Sequence, residues 1–145
     1  MIRRTQQKRS DEKRAQQSLL DGIAEQAQGD YRAPDRSECS VKSWYSSLDD
    51  ADTLRVDYRI WRLSGRLVDF VLLLQVAVWD DWENVARVDC CHGHCHLHPP
   101  DDERIGGGES RSICRLDAVD DVAGAFDAAV EEIESAGRRL RQKGN

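Results

Sequence analysis

Leu54, Val56, Tyr58 and Ile60 alternate with Arg55, Asp57 and Arg59, and a period of two marks a strand with one buried face. Ser64-Gly65 then offers a two-residue turn. Beyond it, Phe70, Leu72, Leu74, Val76 and Val78 share one face, and Val71, Leu73, Ala77 and Trp79 share the other, interrupted by Gln75. A strand apolar on both faces belongs inside a sheet. The run from Leu67 to Trp79 is therefore expected as the central strand of an antiparallel meander. Asp80-Asp81 makes the next turn, Val85 to Cys90 reads as a third strand, and Ile113 to Leu116 as a short fourth beyond a loop with Gly106-Gly107-Gly108.

Residues 119–140 change period. Val119, Val122, Phe126, Ala129, Val130, Ile133 and Leu140 form one helical stripe. Asp117 is the expected N-cap. Asp120 and Asp121 complement the positive end of the dipole, and Arg138, Arg139 and Arg141 the negative end. The expected class is α+β, a meander of about four strands covered by a C-terminal helix. Ahead of it, Ala15, Leu19, Ile23 and Ala27 predict an N-terminal helix over 11–28, ended at Gly29, and 29–52 reads as an irregular linker. The expected division is a charged helix and linker over 1–52 and a core domain over 53–145.

Composition limits the functions open to such a chain. Hydrophobic residues are 39% of the total and the formal charge is −6. Positive charge is densest at the two ends, around Arg3–Arg14 and Arg138–Lys143, on a body that is acidic over 99–134. That balance argues against tight binding to double-stranded DNA, which needs clustered positive charge. No apolar run approaches the roughly 20 residues of a membrane span, and no apolar leader region is visible at the N-terminus. A cytoplasmic location is expected, with the five cysteines as reduced thiols or metal ligands.

Chemistry is concentrated in Cys90–His98. All four histidines lie there, as His92, His94, His96 and His98, with Cys90, Cys91 and Cys95 among them. In an extended segment the histidines project to one face. Two readings follow. In the first, Cys90, Cys91, His94, Cys95 and His98 supply ligands to zinc, and Cys114 or Cys39 must approach the run to complete the shell, giving a non-catalytic metal-binding module with an interaction role. In the second, two histidines act as acid and base, Arg87 holds a phosphate, and Asp89 orients an imidazole. RNA is then the expected substrate, and no metal is needed.

The stretch Arg87-Val88-Asp89-Cys90-Cys91-His92-Gly93-His94-Cys95-His96 resembles an R-x-D-x-x-H-G-x-x-H signature found in short prokaryotic proteins. That group is in turn similar to the TumE-type toxins of toxin–antitoxin pairs, and the resemblance covers roughly residues 54–135. It implies a toxin-like ribonuclease with an antitoxin protein as partner. It singles out Arg87, Asp89, His92 and His96 as the catalytic set, with Gly93 permitting the bend between the two histidines. His94, His98 and the cysteines lie outside it.

Overall fold

The computed structural model describes residues 29–91, 93–100 and 110–143. The expected helix over 11–28, His92 and most of the glycine-rich loop lie outside the described residues. A short 3-10 turn, Arg36–Glu38, leads into strands β1 (Ser40–Ser47), β2 (Leu54–Leu63), β3 (Arg66–Val78), β4 (Asp81–Cys91), β5 (His94–His98) and β6 (Arg111–Arg115), then helix α1 (Asp120–Lys143). Each strand pairs antiparallel with the next, in the order β1-β2-β3-β4-β5-β6.

The sheet therefore has six strands, not four. Both additional strands are polar. β1 falls in the stretch expected as irregular linker, and β5 is the histidine run itself. β3 is interior as expected, but it stops at Val78. Trp79 is not a strand residue: it sits in the turn with φ 58° and is 98% exposed. The β2–β3 turn holds Ser64 and Gly65 at φ 53° and 79°, the left-handed pair that suits a tight hairpin.

Alternation along the strands sorts the sheet into two faces. One face carries Val56, Phe70, Leu72, Leu74, Val88 and Leu97, all at most 1% exposed, against Val122, Ala129 and Ile133 of α1. Phe126 meets Phe70 edge to face at 5.4 Å. Small residues keep the helix close: a Cβ on Gly137 would fall 2.6 Å from Leu48 Cδ1. Asp117, expected as the N-cap, instead accepts from Arg115 Nε, while Asp121 reaches back and accepts from Asp117 N and Ala118 N, just ahead of the helix, at 2.9 and 3.0 Å. The opposite face of the sheet carries the polar cluster.

Candidate functional site: a carboxylate and two imidazoles on the open sheet face

Register assembles the site. Val71 pairs with Asp89 and Asp89 with His96, while Leu73 pairs with Arg87 and Arg87 with His98. Directly paired residues in a sheet share a face, so Arg87, Asp89, His96 and His98 form a two-by-two block on β4 and β5. Gly93 makes this block, because it turns β4 back onto β5 at φ 77°. A Cβ there would lie 2.0 Å from Gly29 O, so the turn also needs a residue without a side chain.

Asp89 is the hub. Its Oδ2 lies 2.8 Å from Arg87 Nε, and its Oδ1 lies 2.7 Å from His96 Nε2 and 3.6 Å from His98 Nε2. The His96 and His98 rings sit 4.6 Å apart at 80°. Asp89 Oδ1, the oxygen that faces both rings, is buried without a well-angled hydrogen-bond donor.

The protonation states suit ligation. Burial opposes the Asp89 charge, but His96, Arg87 and His98 outweigh it and hold the carboxyl below its ordinary value of 3.8. Burial pushes His98 below its ordinary 6.5; Asp89 opposes that shift, while His96 and Arg87 reinforce it. Arg87 Nη2 lies 3.3 Å from His98 Nε2. Burial and the neighbouring Arg87 charge both favour the neutral imidazole at His98, the form that binds metal.

One oxygen of Asp89 and one nitrogen each of His96 and His98 lie within 4.8 Å of one another. Two imidazoles and a carboxylate can hold a divalent ion from one side, leaving other coordination positions for water or substrate.

The other predicted site residues fall elsewhere. His94 shares the open face, its ring 4.7 Å from that of His96, but it stands outside the converging group. Cys90, Cys95 and Cys114 are paired directly across β4, β5 and β6 on the helix-facing side. Cys114 thus does approach the run, at Cys95 rather than at the histidines. Cys39 hydrogen-bonds Asp35 O at 3.5 Å. His98 was expected as a metal ligand and His96 and Asp89 as catalytic groups; what the sequence did not show is that these three converge. The two-residue spacing of His96 and His98 was a visible signal; their placement opposite Asp89 was not.

Among the described residues no helix is long and apolar enough to cross a membrane. No curated protein and no solved structure matches the chain. A family model described as "Domain of unknown function (DUF7718)" matches residues 35–143. That match spans β1 through α1, including both polar strands and the whole Asp89–His96–His98 group, and carries no activity with it. The chain belongs to this DUF7718 family.

Proposed function

We propose that Asp89, His96 and His98 bind a divalent, zinc-class ion, and that the protein is a metal-dependent hydrolytic centre for phosphate esters, with RNA the first substrate to try. The observation that carries the reading is the convergence of three ligand atoms within 4.8 Å on the open face. Zinc held by three protein ligands lowers the pKa of a bound water to about 7. Arg87, half exposed beside the group, adds the fixed positive charge that attracts a phosphate.

The metal-free alternative has less support. A general base needs a ring nitrogen within reach of substrate, yet His96 Nε2 faces Asp89 and its Nδ1 is buried. The test is elemental analysis of purified protein, followed by cobalt titration of the metal-stripped form. One ion per chain is expected, with visible absorption bands that His98→Ala and Asp89→Asn abolish. RNA cleavage should then require the ion. Cobalt bound no better by wild type than by His98→Ala would end the metal reading. Cleavage by the fully stripped protein would restore the metal-free one.

A further inference from the structure

A second cluster lies back to back with the first. Cys90 pairs with Cys95, and Cys95 with Cys114, in direct register across three strands. Cys90 and Cys114 thus flank Cys95 on the helix-facing side of the sheet. Chance placement of three thiols in one cross-strand row is unusual, and the proposed metal centre uses none of them. We propose that Cys95 and Cys114 form a reversible, peroxide-driven disulfide that staples β5 to β6.

Geometry and access select this pair. Directly opposed Cα atoms in an antiparallel sheet lie about 4.5–5.5 Å apart, inside the roughly 4.4–6.8 Å that a disulfide spans. Cys95 is fully buried, whereas Cys114 lies on the last strand and is only partly covered. Within this pair an oxidant therefore meets Cys114 first. Cys90 is held on the interior strand β4.

The chemistry balances in two steps. The Cys114 sulfur attacks peroxide: an S–O bond forms, the O–O bond breaks, and one water leaves. The Cys95 sulfur then attacks the resulting sulfenic acid: the S–S bond forms, the S–O bond breaks, and a second water leaves. Two thiols have lost two electrons in total, and hydrogen peroxide has become two waters. Burial and the neighbouring sulfurs push the Cys114 thiol up to about 11, so the first step is slow at neutral pH and faster in mild alkali.

The test treats native full-length protein with hydrogen peroxide at mildly alkaline pH, blocks free thiols, and maps tryptic peptides without reduction. Cleavage after arginine places Cys114 in the peptide 112–115, and Cys90, Cys91 and Cys95 together in 88–104. The expected product joins these two peptides, fragment ions assign the link to Cys95, and dithiothreitol reverses it. Cys114→Ser should lose the product, and Cys39→Ser should keep it. A link within 88–104 with Cys114 still free, a link from Cys114 to any other cysteine, or oxidation of Cys114 to sulfinic acid without a link would each overturn the proposal.

Discussion

His98 stands at the edge of the converging group, yet its Nε2 faces both Asp89 and Arg87. Replacing it with alanine should lower cobalt affinity by more than the roughly 10–100-fold that loss of an outer-shell partner costs. Arg87→Leu removes only such a partner, the Nε donor 2.8 Å from Asp89 Oδ2, and should fall within that range. His94→Ala should leave one ion per chain, because His94 lies outside the group. The sign with pH follows from His98. Its pKa is lowered from 6.5 by burial, so the cobalt affinity that His98→Ala removes should be constant above that value and shrink only below it. A difference that already shrinks near pH 7 would overturn that sign. At this scale the sequence carried the identities but not the roles. Arg87, Asp89 and His96 were all singled out, but only the β4–β5 register turns an orienting carboxylate into a converging one.

Elements were legible where burial wrote them. β2 alternates apolar and polar residues because one face packs under α1, β3 is apolar on both faces because it lies inside the sheet, and the stripe Val122, Ala129, Ile133 is the answering face. β1 gives no such signal. Its residues are mostly exposed serines with Val41 and Tyr45, and it is held by pairing to β2 and by Trp44 stacked on Tyr58 at 5.0 Å. β5 is short and its open face is made of histidines, so it reads as chemistry rather than as a strand. Its existence depends on Gly93, whose carbonyl accepts from Gly29 N at 2.7 Å and Leu116 N at 2.8 Å. Gly93→Ala should cost at least about 1–3 kcal/mol, the penalty of a left-handed non-glycine residue, seen as a lower denaturant midpoint and weaker metal binding together. At the other boundary, Asp121 holds the amides of Asp117 and Ala118, just ahead of α1. Those donors keep its carboxyl below the ordinary 3.8. Its contribution is therefore complete above that value and lost as pH falls through the lowered one. Asp121→Ala should reduce Tm by a few degrees at pH 7, and the gap from wild type should close in strong acid.

For the whole molecule, closure comes from the segment that enters the fold before β1. Tyr31 N donates to Leu116 O at 3.2 Å, and the Tyr31 hydroxyl donates to Val68 O at 2.6 Å. One residue thus links the sheet's interior strand β3 to the chain leaving β6, beside the amide of Gly29 that reaches the Gly93 turn. Burial, and then the negative charge of Asp69, push the Tyr31 phenol from 10 up to about 12. A pKa raised in the fold means that the unfolded chain gives up its proton first. The stabilisation is therefore complete below pH 10 and drains away as pH rises from 10 to 12. Tyr58 is shifted in the same direction by burial and Glu134, so wild type alone cannot separate the two. Tyr31→Phe can. It deletes the hydroxyl and its bond to Val68 and should be less stable than wild type at pH 8. It should also lose less stability than wild type between pH 10 and 12, so that the two denaturation midpoints draw together. Parallel curves across that range would mean that Tyr31 ionises as freely in the fold as out of it, and that the clamp on Val68 contributes nothing to holding β3 and β6 in one sheet.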